Sequence, residues 1–241
     1  MKQYIQLFGA AHLSMLAAVP AIGAVLAVAH RRAPAAARTI RLCLAATLVF
    51  NVILFYGWRI ETHVLSFPNG LPLELCDLSM FLAILSLFTL KPLFFDLAYF
   101  WALAGSGMAL LTPNLTDPFP SFGSVEFFIT HGLTVTAVLY LLWSGQARPR
   151  RWSVARAMIG INVVALFDGP FDYFFGTDYF FLRAKPVNPS LLDYLGPWPL
   201  YIVCTEGVAL ILFLLVYLPV RRGTHAMPVV SENSQAVMAE D

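Results

Sequence analysis

Seven apolar runs, each close to the length of a bilayer crossing, leave this chain few ways to fold. They fall at roughly 7–29, 39–57, 71–90, 93–111, 124–143, 154–167 and 200–220. A spanning helix takes about 20 residues, within a range of about 17–25. The run at 154–167 is the weakest, being short, carrying Asn162 and ending beside Asp168. In lipid every backbone N–H and C=O must find a partner inside the protein, so only helices and closed barrels cross. The pattern predicts an all-α polytopic membrane protein, a bundle of seven transmembrane helices. Composition agrees, with 59% hydrophobic and 12% charged residues against about 25% charged in soluble domains. One domain over 1–222 accounts for all seven spans. A polar tail over 223–241 is expected to be disordered and cytoplasmic. No repeat relates the two halves, which speaks against an inverted-repeat transporter.

Two details fix how the bundle is expected to sit. Lys2, the first apolar run and Ala27-Val28-Ala29 resemble a cleavable secretory signal. The 23-residue stretch from Leu7 to Ala29, closed by His30-Arg31-Arg32, instead predicts a retained first span. Arg31, Arg32, Arg38, Arg41, Lys91, Arg148, Arg150, Arg151, Arg156, Arg221 and Arg222 fall at one end of the spans. Lys2, Arg59, Arg183 and Lys185 fall at the other. Basic loops stay cytoplasmic, so the N-terminus is expected outside, in a multi-pass protein of the cell membrane. Ten of the 14 acidic residues lie at or near the outer end, suggesting a polar mouth there. No sustained basic stripe supports nucleic-acid binding. Cys43, Cys76 and Cys204 form no CxxC pair and no disulfide framework. His12, His63, His131 and Asp77 show no HxxxH spacing, so no metal and no cofactor are expected. The expected partner is membrane lipid.

The third run opens with Leu71-Pro72-Leu73-Glu74-Leu75-Cys76-Asp77-Leu78-Ser79. An ionised side chain placed centrally in lipid costs about 2.5–3.5 kcal/mol even on lenient scales, so Glu74, Cys76 and Asp77 read as one wall of a polar site. Glu126 and His131 form a candidate second wall, and Glu206 lies at similar depth in the last span. Acyl transfer needs a nucleophile and a base: Cys76 can attack as the thiolate, and His131 can take its proton. Asp77 or Glu206 would orient His131; Glu206 equally suits a plain bridge between helices. A helix opened by Pro72 puts Cys76 about 6 Å deep, and His131 lies about 10 Å from Ser124. On that reading the thiol sits beyond the first turn, where the helix dipole contributes little, and Glu74 and Asp77 oppose a negative charge beside them. The alternative for Cys76 is a buried structural cysteine. The alternative for His131 is a hydrogen bond to Glu126 or Thr130, although Glu126 lies about 140° round the helix from it. His12 is expected to reach the outer surface, and His63 sits in a polar loop. Gly105-Ser106-Gly107 reads as small-residue helix packing.

A long loop over 169–199 carries Phe171, Tyr173, Phe174, Phe175, Tyr179, Phe180, Phe181, Tyr194 and Trp198. Such rings favour the headgroup region, which predicts a partly inserted lid over the outer mouth. Arg183 and Lys185 beside this belt are candidate holders of a lipid phosphate, or simply a solvated pair. Glu74, Glu126, Arg183, Lys185 and Trp198 are therefore the candidate substrate-binding residues.

Several phrases resemble a known family. Leu71 to Leu78 resembles an LPLxLCxL motif, Leu111-Thr112-Pro113-Asn114 an LTPD/N turn, and Phe128-Ile129-Thr130-His131-Gly132 an FxxHG segment. Lys185-Pro186 with Ser190 to Pro199 resembles a KPxxxSLLDxLGPWP block. Together they resemble the YwaF-type family of bacterial integral membrane proteins, distantly similar to a eukaryotic multispanning acyltransferase that remodels ether phospholipids. Asp178-Tyr179-Phe180 departs from the family's Asn-Tyr-Met. The resemblance implies that Cys76 matches the nucleophile of the eukaryotic relatives. The function expected is a lipid acyltransferase or hydrolase with Cys76, His131 and Glu206 or Asp77. The alternatives are a receptor or carrier holding a small solute or lipid headgroup in an outer-facing pocket, and a protein whose polar residues only set helix packing.

Overall fold

The computed structural model describes residues 4–115, 117–186 and 190–221. Among them the chain is all helix, turn and loop, with seven main helices. These are α1 (Ala10–Arg32), α2 (Ala37–Glu61), α3 (Leu75–Thr89), α4 (Pro92–Leu111), α5 (Phe122–Ser144), α6 (Ser153–Phe175) and α7 (Leu200–Tyr217). Six are long and apolar enough to cross a membrane, and α3 is the short one. The expected tail over 223–241 lies outside the described residues.

Close packing follows the small residues. A Cβ on Gly132 of α5 would stand 3.2 Å from Val19, and one on Gly23 of α1 would stand 3.3 Å from Leu139. That approach lets Thr136 Oγ1 donate to the Val19 carbonyl across the two helices at 3.2 Å. On the other side of α4, Gly160 of α6 receives Trp101, whose Nε1 donates to the Ala157 carbonyl at 3.2 Å. Tyr99 of α4 donates to Val216 of α7 at 2.7 Å. The core therefore lies between α3, α4 and α5. Outward faces of α2, α6 and α7 stay apolar, with Ile53, Leu166 and Val203 among the exposed side chains. A bundle apolar both inside and out is built for lipid.

Three expectations need correction. The third span starts at Leu75, not Leu71, because the chain bends at Leu71 and Pro72 and turns helical only after Glu74. The sixth run continues to Phe175, past Pro170, so 169–175 is helix and the aromatic loop begins at Gly176, whose φ of 73° closes α6. A proline inside a helix costs one donor and a local clash, and here neighbouring turns tolerate it. His12 does not reach the surface: it is fully buried, accepting from the Phe8 N–H at 2.9 Å and donating to the Leu110 carbonyl at 2.8 Å.

The charge segregation is present in three dimensions. One end gathers the start of α3 and the ends of α2 and α6, with their carboxylates and with Arg59 and Arg183; the other carries most of the arginines. At that basic end Asp96 is fully buried and shared by Arg150 and Arg156, each at 2.9 Å. The sequence reading passed over Asp96.

Candidate functional site

Helix α3 begins with Glu74 in extended conformation at its N-cap. Asp77, at the third helical position, accepts the Glu74 backbone N–H, which is half of a capping box. Cys76 is thus the second residue of the helix, inside the first turn. This reverses the dipole part of the expectation drawn from a helix opening at Pro72, since the thiol lies at the helix end that favours negative charge, while Glu74 and Asp77 still flank it.

The bent, non-helical stretch before α3 is held by the loop after α6. Tyr179 Oη donates to the Pro68 carbonyl at 2.7 Å and accepts the Leu71 N–H at 3.2 Å. Those bonds satisfy non-helical backbone that lipid would leave unpartnered. The Phe180 N–H reaches Glu74 Oε2 at 3.5 Å. Phe180 and Phe181 both adopt left-handed backbone, φ 57° and 54°. Such strain persists only where surroundings impose it, and here Tyr201 Oη is fixed on the Phe181 carbonyl.

Around the thiol the structure places hydroxyls. The Ser106 side chain lies beside Cys76. Ser79 Oγ donates to the Cys76 carbonyl at 2.9 Å and pairs with Ser106 Oγ at 3.2 Å. Ser106 arrives there because Trp101–Ser106 of α4 is wound as π-helix, a distortion that recurs at functional sites. Gly105 packs against Leu75, 3.3 Å from a would-be Cβ, as small-residue packing predicts.

His131 is buried on α5, and its Nδ1 meets the Phe127 carbonyl at 2.7 Å, with the two rings 4.1 Å apart. A carbonyl accepts, so Nδ1 carries the proton and Nε2 keeps its lone pair. Among the described residues no hydrogen bond joins His131 to Cys76, Asp77 or Glu206. Glu126 instead accepts from Thr130 and, at 3.3 Å, from Asn51 of α2. Glu206 accepts from Asn162 Nδ2 at 3.0 Å, which makes it a bridge from α7 to α6.

The loop residues are largely committed to backbone. Arg183 Nη1 donates to the Asp172 and Thr177 carbonyls at 3.1 and 3.0 Å, capping α6. Lys185 Nζ lies 5.5 Å from the centre of the Tyr201 ring. Trp198 Nε1 donates to the Leu182 carbonyl at 3.0 Å while its ring stays exposed. Asp178 only accepts, from the Arg183 and Ala184 N–H groups, so an asparagine oxygen would serve equally. Ser190 and Asp193 form a capping box, which gives the SLLD phrase a structural reason. Tyr173, Phe174 and Tyr194 stand far out of the fold at 78, 79 and 87% exposure, as a headgroup-level belt would.

Sequence reasoning missed the α6 carboxylates as site residues. Asp168 and Asp172 lie four residues apart on one helix face and are both fully buried. Asp172 Oδ1 accepts from Thr177 Oγ1 at 2.6 Å and from the Tyr179 N–H at 3.0 Å. Its Oδ2 and both oxygens of Asp168 have no hydrogen-bond partner among the described residues. Their breaker-rich setting, Asp-Gly-Pro-Phe-Asp, concealed a helical i, i+4 pair.

The model of the TMEM164 family matches residues 7–217. The chain belongs to the TMEM164 family. With its apolar helices, membership makes it a multi-pass integral membrane protein. It is 29% identical over 160 residues to an uncharacterized protein of Treponema pallidum (strain Nichols), with 66% of each chain covered. The chain thus spans just under two thirds of that relative. No solved structure matches it.

Proposed function

We propose that this TMEM164-family protein moves lipid acyl chains through a thioester on Cys76, at the acidic end of the bundle. The observation that carries the reading is the seat of the thiol, in the first turn of α3 beside the Ser106 hydroxyl of a π-helical turn. The resemblance to YwaF-type proteins, and through them to a eukaryotic acyltransferase, supports the same residue. In the proposed reaction His131 Nε2 takes the thiol proton as Sγ attacks an acyl ester carbon. The ester C–O bond breaks, and the leaving alkoxide takes that proton. A second hydroxyl, from lipid or water, then gives up a proton to His131 as its oxygen bonds the acyl carbon; the C–S bond breaks, and His131 returns that proton to the Cys76 thiolate. Hydrogen bonds of this kind are often formed only with substrate in place. Asp77 holds the start of α3, which supports a positioning role, and Glu206 accepts from Asn162 through one oxygen, which supports a bridge between helices.

The test uses a Cys43→Ser, Cys204→Ser background, treated with a long-chain acyl electrophile. The thiol at 76 should label, and adding Cys76→Ala should abolish the adduct at equal folded protein. Equal labelling overturns the proposal.

One observation favours the second reading, a receptor or carrier for a cationic group: both Asp168 oxygens and Oδ2 of Asp172 are buried and lack a hydrogen-bond partner among the described residues. Buried carboxylates need a partner or a proton. A cellular phenotype that survives Cys76→Ala and is lost in Asp168→Asn would favour binding over acyl transfer.

A further inference from the structure

At the end opposite Cys76, α1, α4, α5 and α7 leave a cavity of about 490 Å³ between them. That is within the range of small-molecule sites, about 300–1,000 Å³. Its walls are mainly apolar, with Leu103, Leu139, Leu142 and Val216 among them, and two arginines, Arg31 and Arg148, line it as well. Tyr99, another lining residue, has its hydroxyl committed to the Val216 carbonyl. Arg31 uses one Nη to cap α5 at the Trp143 carbonyl, and a guanidinium has further N–H donors to offer. The nearby carboxylate, Asp96, is already shared by Arg150 and Arg156. Arg31 and Arg148 form no ion pair among the described residues and are both exposed.

A chamber with greasy walls and cationic donors, opening from a bundle immersed in lipid, suits one kind of occupant. We propose that it holds an anionic phospholipid, with the phosphate on Arg31 and Arg148 and the start of an acyl chain along Leu103, Leu139 and Leu142. Basic pockets between transmembrane helices take anionic headgroups for the same reason. The proposal is independent of the chemistry at Cys76.

The test is native mass spectrometry of the full-length protein in nonionic detergent, with phosphatidylglycerol or phosphatidylcholine of matched chains. Phosphatidylglycerol should be retained preferentially. Each arginine near a headgroup is worth roughly 5-fold in binding, so R31Q/R148Q should reduce the preference about 25-fold. Because Arg31 also caps α5, Arg148→Gln alone provides a milder variant, expected to lose about 5-fold. Leu139→Trp, which fills the chamber without touching its charges, should release both lipids. Equal retention of the two lipids overturns the proposal, as does an unchanged preference in a folded Arg148→Gln. Displacement by inorganic phosphate at millimolar concentration assigns the arginines to a free anion instead. Retention seen only after truncation at Arg222 assigns the chamber to the chain's own last residues.

Discussion

Replacing His131 by Gln is expected to slow acylation of Cys76 by about 10²–10⁴-fold, the usual contribution of a general base. The ring's Nδ1 is fixed on the Phe127 carbonyl, so the nitrogen available to accept a proton is Nε2. Glutamine can preserve a hydrogen bond to that carbonyl through its amide, yet offers no basic nitrogen. The measurement is the rate of adduct formation per folded molecule across pH 6–9. The wild-type rate should level off where His131 is neutral, and the variant's should keep rising as hydroxide takes over the proton. A variant that melts lower but labels at the wild-type rate would reduce His131 to a packing residue. Glu126→Gln is the matched control. Its carboxylate serves Thr130 and Asn51, and its loss should leave the rate within about threefold.

The second large effect concerns stability at the basic end. Converting Arg150 and Arg156 together to Met should cost about 3–5 kcal/mol, because it strands a fully buried carboxylate. Asp96→Asn should cost less, about 1–2 kcal/mol. The asymmetry follows from exposure: Asp96 has none, whereas the two arginine side chains are 45 and 33% exposed and can turn to water. Asp96 Oδ1 also accepts the Arg150 backbone N–H at 3.0 Å, a bond that an Asn oxygen can keep. At roughly 2–4 °C per kcal/mol for a chain of this size, the double variant should melt about 10 °C lower. A larger loss in Asp96→Asn than in the double arginine variant would show that the arginines, not the carboxylate, need the pair.

What could be read from residues alone has a physical boundary. Apolar runs and arginine-rich turns are local signals, so the helical class, the number of main helices and the separation of charge followed directly. The wall at Glu74, Cys76 and Asp77 was legible because charge at the edge of a greasy run is costly. Partners far away in sequence were not legible. Asp96 meets arginines 54 and 60 residues later, and His12 meets Leu110 across 98 residues. No local pattern announces either. The start of α3 was misplaced because proline commonly opens helices, whereas the Glu74–Asp77 cap sets the boundary three residues later. Asp172 was assigned to a loop, and separated from Asp168 at the end of the sixth run, because Gly169 and Pro170 read as breakers, and packing overrode both.

The link from Tyr179 to Pro68 and Leu71 bears on how the protein is made. Helix α3 spans about 22 Å at 1.5 Å per residue, less than the roughly 30 Å hydrocarbon layer. The chain leading into it is held by a phenol supplied more than a hundred residues downstream. During synthesis these two bonds cannot form until position 179 has been made. Biogenesis of this region is bound to late events in translation, and any factor that shelters nascent membrane hairpins would find its task here.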